Sequence, residues 1–288
     1  MKYKFLYFAI SLLVLIPGTI SLVKNGLKLS IDFTGGTLLE IQVTSNKQQD
    51  VTSNLRNIAG VSSVQKSDED TYLLRMHEIN NDQKNEILAK VGKELGEVKE
   101  KRFEIVGPVV GKELTQKAFL AVGVASLAII LYIAWSFKHI SKPYSSWKFG
   151  ISAVIALIHD ALVVLGMFSI FGAKWGVEID VLFVTAILTV IGFSVHDTIV
   201  VFDRIRENIP KMPKVSFSDV TDFSLTETLV RSLNTSITVL LTLTAMLLFG
   251  GETIRWFVVA LLIGIFSGTY SSIFNAAPLL AMWEEKRK

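Results

Sequence analysis

Six long runs in this chain are almost free of formal charge, and no soluble globular fold accommodates that pattern. Residues 5–23, 118–137, 232–251 and 256–283 contain no Asp, Glu, Lys or Arg, while 149–173 and 181–202 hold one each, Asp160 and Asp197. A helix of about 20 apolar residues crosses a hydrocarbon core of ~30 Å. The chain therefore reads as a polytopic α-helical membrane protein. Transmembrane helices are expected at 5–23, 118–137, 149–171, 180–202, 229–250 and 256–282, with one long loop at 24–117 and a cytoplasmic loop at 203–228. Bulk composition says less, since 50% apolar and 19% charged residues lie near ordinary values. The sorting of charge along the chain decides.

Cysteine is absent, which removes disulfides, thiolate metal sites and Cys nucleophiles. No metal site, cofactor or catalytic set is expected. A net charge of +3 is too small to point to nucleic acid. Basic residues in the short connections and termini sort to alternate sides: Lys2, Lys4, Lys138, Lys142, Lys148, Arg204, Arg206, Lys211, Lys214 and 286–288 on one, only Lys174 and Arg255 on the other. By the positive-inside rule both termini are expected in the cytoplasm and 24–117 outside it. Residues 2–23 also have the basic start of a signal peptide, but the apolar run is long and no A-x-A-like site follows, so a retained first helix is expected.

The long loop has the periodicity of a small folded domain. Leu39, Ile41 and Val43 share one face of a strand over Thr37–Val43. Asp50 is suited to cap a helix carrying Val51, Leu55 and Ile58 that stops at Gly60. Val61–Gln65 and Thr71–Met76 read as strands around a turn at Ser67–Asp70, Asp82–Leu95 as a second helix, and Glu97–Val106 as a fourth strand. The order β-α-β-β-α-β is that of the ferredoxin-like split βαβ unit, with its core at about 37–106. His77, its only histidine, reads as a solvated strand end. Two glycine motifs flank the domain, Asp32-Phe33-Thr34-Gly35-Gly36 before it and Gly107-Pro108-Val109-Val110-Gly111 after it. The first suits a strand-entry turn, the second a hinge-like connection or a plain linker.

The exceptions inside the apolar runs carry the chemistry. An Asp at the centre of a membrane helix costs about 2.5–3.5 kcal/mol and faces protein or a water-filled cavity. Asp160 and Asp197 each follow a histidine, His159 and His196, in loosely similar frames. Ser194, Asp197 and Thr198 fall on one helical face. On the fifth helix Glu227, Arg231, Thr235, Thr238 and Thr242 form a stripe at spacings of three and four. Burial favours the neutral form of a carboxylate and a nearby guanidinium the ionised form, so an acid with a movable basic partner suits proton binding and release. A static interhelical ion pair has the same composition. For His159–Asp160 a satisfied structural pair is the expected state, and Gly264 and Gly268, with Ser267 and Ser271 nearby, read as close helix packing.

These residues resemble a known family. Asp32–Gly36, Val106–Leu114, the His-Asp of the third helix, Gly192–Asn208 and Thr228–Ser236 are similar to the motifs of the SecD/SecF family, membrane subunits of the bacterial Sec translocase within the resistance–nodulation–division superfamily. The residue before the fourth-helix acid is often Asn in that family and is His196 here. The resemblance implies pairing with a SecD subunit beside the SecY/SecE/SecG channel. It implies use of the proton-motive force to draw a translocating polypeptide outward across the cytoplasmic membrane, after the motor ATPase has pushed it in. The coupling ion would be the proton, with Asp197, Arg231 and Thr235 as the relay. His159, Asp160, His196, Ser194 and Thr198 are possible auxiliaries, and Gly107–Leu114 would transmit movement to the outer domain. Three rivals stand beside this reading: a non-conducting assembly scaffold, a small-molecule/proton antiporter of the same superfamily, and an intramembrane aspartyl protease. Antiporters of that kind generally have about twelve helices, and the protease would be expected to show Tyr-Asp and Gly-x-Gly-Asp.

Overall fold

The computed structural model describes residues 3–44, 51–59, 61, 63–68, 70–138 and 144–285. The chain divides into two compact units, Leu29–Phe119 and the remainder, Met1–Lys28 with Leu120–Lys288.

The first unit is built on alternation. Strands β1 (Gly36–Thr44), β2 (Ser63–Asp68), β3 (Thr71–Met76) and β4 (Glu97–Val106) form one antiparallel sheet in the order β2-β3-β1-β4. Leu39, Ile41 and Val43 of β1 and Tyr72, Leu74 and Met76 of β3 point to one face and are buried with Leu55 of α3 (Val51–Ala59) and Val91 and Leu95 of α4 (Asn81–Leu95). This is the expected split βαβ order, with the hydrophobic period switching from two to near four as strand gives way to helix. A bulge where the β1–β4 register shifts at Glu40/Ile41 lets the long edge strand follow the twist. Helix α4 starts at a complete capping box between Asn80 and Gln83. On its wet face Lys90 bonds Glu86 at 2.7 Å, which holds that carboxyl below the usual carboxylate range. The expected capping role of Asp50 and the helix stop at Gly60 fall outside the described residues. Strand β2 runs to Asp68 rather than turning at Ser67, because its ladder to β3 continues to the pair Asp68–Thr71.

The second unit is a helix bundle. Six helices are long and apolar enough to cross a membrane: α1 (Lys4–Asn25), α5 (Pro108–Ser136), α6 (Ser146–Trp175), α7 (Val181–Asn208), α8 (Phe217–Phe249), and a last span made of α9 (Glu252–Ser271), a π-helical stretch (Ser272–Ala276) and α10 (Ala277–Glu285). One short helix, α2 (Ile31–Thr34), precedes β1. The chain is thus a multi-pass membrane protein with a sheet-containing domain between its first two spans.

The helices outrun the apolar runs that announce them. Helix α5 begins at Pro108, ten residues before 118, because proline suits the first helical turn. Helix α7 continues to Asn208 and α8 begins at Phe217, capped by Ser216, so most of the expected loop 203–228 is helical. Only 209–216 connect the two. At the ends of α5, α6, α7 and α8, Phe137, Phe149, Phe202 and Phe217 pack edge-on and tilted with ring centroids 5.4–6.3 Å apart.

Candidate functional site

Helices α6, α7 and α9 bring the two acids into the same bundle but into opposite surroundings. Asp160 is 1% exposed and its carboxylate is saturated. Ser194 Oγ of α7 donates to Oδ2 at 2.5 Å and Ser271 Oγ of α9 at 2.6 Å. Ser267 Oγ donates to Oδ1 at 2.8 Å, and His159 Nδ1 lies 3.0 Å from the same oxygen. His159 Nε2 faces Asn275 Nδ2 at 3.4 Å, and Asn275 is bonded twice to Ser11 of α1, at 2.7 and 2.9 Å. One polar chain therefore crosses four helices. The sequence grouped Ser194 with Asp197, and all three of Ser194, Asp197 and Thr198 are indeed buried. The Ser194 hydroxyl, however, turns to Asp160.

Asp197 is 2% exposed and poorly partnered. Its Oδ2, Thr198 Oγ1 and Ser232 Oγ are buried with no hydrogen-bond partner among the described residues. His196 Nδ1 is 3.9 Å from Oδ1, but the His196 side chain is 62% exposed and points out of the unit. From α8, Ser236 approaches the carboxyl, and its hydroxyl also meets Thr269 of α9 at 2.6 Å. An under-bonded buried acid is costly to hold and is a place where change is favoured.

Arg231 is not at Asp197. Helix α8 has three sides. Thr228, Ser232, Ser236 and Leu243 face the bundle. Arg231, Asn234, Thr235, Thr238 and Thr242 form an exposed polar flank, on which Thr235 spends its hydroxyl on the Arg231 carbonyl at 3.0 Å. Val230, Leu233, Ile237 and Leu241 form an exposed apolar flank. Among the described residues no ion pair joins Arg231 to Asp197; its neighbour Ser232 occupies the inward position, one residue or about 100° round the helix. The expected stripe of five is also split at its start. Glu227 is held by Arg204 through two bonds of 2.7 Å and by Asn208 Nδ2 at 2.7 Å, which clamps α7 to α8. Charges that read as topology signals thus tie two helices together. Their spacing, Arg204 and Asn208 one turn apart, is the signal that marks them as one face.

The two glycine motifs, separate in the sequence, lie on each other within the sheet-containing unit. Ile31–Thr34 form the single turn α2, and Gly35 and Gly36 follow at φ +71° and +122°, where only glycine is unstrained. A Cβ on Gly35 would come 2.9 Å from the Cα of Pro108, and one on Gly111 would come 2.8 Å from the backbone N of Gly35. Thr115 Oγ1 reaches the Phe33 carbonyl at 3.3 Å. Asp32 sits in the first turn of α2 and Phe33 is buried. Gly107 is the single residue between β4 and α5, where an added Cβ would meet open space.

With this geometry in view, comparison with known proteins is specific. The family described as protein export membrane protein SecD/SecF, C-terminal, matches residues 84–286, and the SecD/SecF GG motif matches 20–47. The chain is 48% identical to protein translocase subunit SecF of Thermobaculum terrenum, over 99% of this chain and 93% of that protein. It is 44% identical to protein translocase subunit SecF of Anaerolinea thermophila, over 98% and 92% of the two. It is similar to the crystal structure of SecDF, a translocon-associated membrane protein from Thermus thermophilus, with a TM-score of 0.85 and 31% identity. That likeness covers 99% of this chain and 38% of the SecDF chain. The six spans, the inserted sheet domain and these likenesses together place the chain in the SecD/SecF family of protein-export membrane proteins, as a translocase subunit of the SecF type.

Proposed function

We propose that this subunit, paired with a SecD half beside the SecY/SecE/SecG channel, uses the proton-motive force to promote export of polypeptides across the cytoplasmic membrane, with Asp197, Arg231 and Thr235 as the relay. The reading includes cytoplasmic termini and an extracytoplasmic domain at 24–117. The observation that carries it is the state of Asp197, a buried carboxyl with one oxygen that has no hydrogen-bond partner among the described residues.

In this reading Asp197 takes a proton where it is under-bonded and releases it when a guanidinium comes near. Arg231 starts one residue round α8, so the release step needs α8 to turn by about 100° or the long side chain to swing across the Ser232 position. Thr235, a turn from Arg231, would hand its hydroxyl from the Arg231 carbonyl to the carboxylate in the same movement. One charge moved through 100 mV is worth about 2.3 kcal/mol, enough to bias a two-state helix packing by tens of fold.

The test is Asp197→Asn in vesicles carrying the SecD partner and the channel. Assembly with SecD is expected to persist and the stimulation of export by a proton gradient to vanish. A mutant that responds to the gradient as the native complex does would refute the relay.

A further inference from the structure

The second intramembrane acid differs from the first in every bond it makes. We propose that Asp160 is a positioning residue for Asp197: it remains bonded throughout the cycle and, through Ser194, fixes the rotation of α7 that turns Asp197 toward α8. The proposal rests on the reading of Asp197 as the relay acid.

A carboxylate has about four lone-pair sites, and at Asp160 all are filled: Ser194 and Ser271 on Oδ2, Ser267 and His159 on Oδ1. The donors come from α6, α7 and α9. His159 turns Nδ1 toward Asp160 and Nε2 toward the Asn275 amide, so the ring links the carboxylate to Asn275. Among the described residues no Lys or Arg lies within ion-pair distance of this carboxylate, so three serine hydroxyls and the His159 ring hold it. A group satisfied in this way has nothing to gain from changing partners, whereas Asp197 has.

The coupling to Asp197 is a matter of one helical turn. Ser194 and Asp197 are three residues apart on α7 and both are buried. Gly268 of α9 lies against Ser194, where a Cβ would come within 3.0 Å of the serine Cβ. At this level α7 cannot rotate without breaking the bond to Asp160 and meeting the α9 backbone. The next residue of α9, Thr269, bonds Ser236, the α8 side chain beside Asp197. One stretch of α9, Ser267 to Ser271, therefore holds Asp160 directly and Ser236, the neighbour of Asp197, through Thr269. The groups near Asp197 are the largely exposed His196 from its own helix and Ser236 from α8, with Thr269 of α9 behind Ser236. None of those from α8 or α9 carries charge.

Ser194→Ala, Asp160→Asn and Ser267→Ala separate the roles in the assembled complex. Ser194→Ala removes only the α7 link, while Ser267→Ala removes a donor from α9 beside an apolar cavity of about 440 Å3. The expected result for Ser194→Ala and Asp160→Asn is retained gradient-driven export with its pH midpoint moved by about half to one unit, the weight of one hydrogen bond. Ser267→Ala is expected to leave the midpoint in place, and Ser267→Thr to match the native protein. A nitroxide at His196→Cys, in a chain without native cysteine, reads the rotation of α7 directly by its oxygen accessibility, whether or not Asp197 relays protons. Changed accessibility with Ser194→Ala and none with Ser267→Ala supports positioning. Unchanged accessibility and midpoint in Ser194→Ala would overturn it. So would loss of the gradient response in Asp160→Asn, which would make Asp160 a proton carrier in its own right. Failure of the relay reading itself shows separately, as a gradient response that survives Asp197→Asn.

Discussion

Lys148 and Glu284 meet at 3.2 Å with 10% and 1% of their side chains exposed. Lys148 Nζ also donates to the Trp283 carbonyl at 2.8 Å, and Glu284 accepts from the backbone N of Ser145 at the start of α6 at 3.1 Å. Every charge in this pair has a second partner, which is what makes a buried ion pair tolerable. Glu284→Gln leaves the ammonium buried beside a neutral amide and is expected to destabilise the protein by about 3–5 kcal/mol. Lys148→Met with Glu284→Gln is expected to cost clearly less than the two single changes added together. Thermal unfolding in detergent measures both; additive single effects would show that the pair does not act as a unit. The same logic separates the two intramembrane acids. Asp160 and Asp197 sit in similar sequence frames, each after a histidine, and nothing in either frame says which is satisfied. Partners from other helices decide it: Ser267 and Ser271 reach Asp160, while Asp197 Oδ2 has no hydrogen-bond partner among the described residues. The acids themselves were legible because a charge stands out in an apolar run. Their states were not, because hydroxyls that serve helix packing and hydroxyls that serve a carboxylate look alike in a sequence. Spacing alone suggests Arg231 as a basic partner, yet spacing does not fix helix rotation, and in the structure Ser232 is turned inward while Arg231 is exposed.

At the scale of elements, the helix contacts depend on places where no side chain fits. Helices α1 and α6 cross at Gly18 and Gly166, where a Cβ on Gly166 would stand 2.7 Å from the Gly18 Cα, and Ser21 and Ser169 join their hydroxyls at 2.9 Å on the same seam. Such small-residue crossings hold membrane helices by close backbone approach rather than by apolar burial. Gly166→Ala drives a methyl into backbone and is expected to cost about 1–3 kcal/mol. Gly192→Ala, in open space on α7, is expected to cost nothing. Detergent unfolding that ranks the two equally would show that the crossing does not depend on the glycine. Existence and order of the six spans and four strands were readable, from charge-free runs for the spans and from alternation for the strands, while the single turn α2 was not. Their ends were less so. Apolar runs mark where a helix meets hydrocarbon, whereas helix ends are set by caps such as Ser216 and by Pro108. The π stretch at Ser272–Ala276 has no sequence mark, since its extra residue is stabilised by what surrounds it.

At the scale of the whole molecule, the spans differ widely in how much of each the helix bundle covers. The third, fourth and sixth spans are the ones most buried within it, and the second is the least, with 6% of its apolar window covered. An apolar span left bare is at home in lipid, but the polar flank of α8 is not. Arg231, Asn234, Thr235, Thr238 and Thr242 are exposed along several turns of a membrane helix, next to an apolar flank of Val230, Leu233, Ile237 and Leu241. Lipid satisfies the second flank and leaves the first without partners for its charge. A second helical unit or a water-lined cleft shared with it fits the polar flank, and a SecD half is the partner proposed for it. A photoactivatable residue at Thr238 or Thr242 is therefore expected to form an adduct with co-expressed SecD, while the same residue at Leu233 or Ile237 is expected to form several-fold less. Immunoblotting of the irradiated membranes reads the result. The two positions of each flank sit on the same helix at similar depth, so unequal insertion or expression does not account for a difference between them. Equal adducts from both flanks would mean that α8 is enclosed by partners on every exposed side. Adducts from the apolar flank alone would place SecD opposite Leu233 and Ile237, remove the partner from the Arg231 flank, and leave the relay to be completed by residues of this chain turning inward.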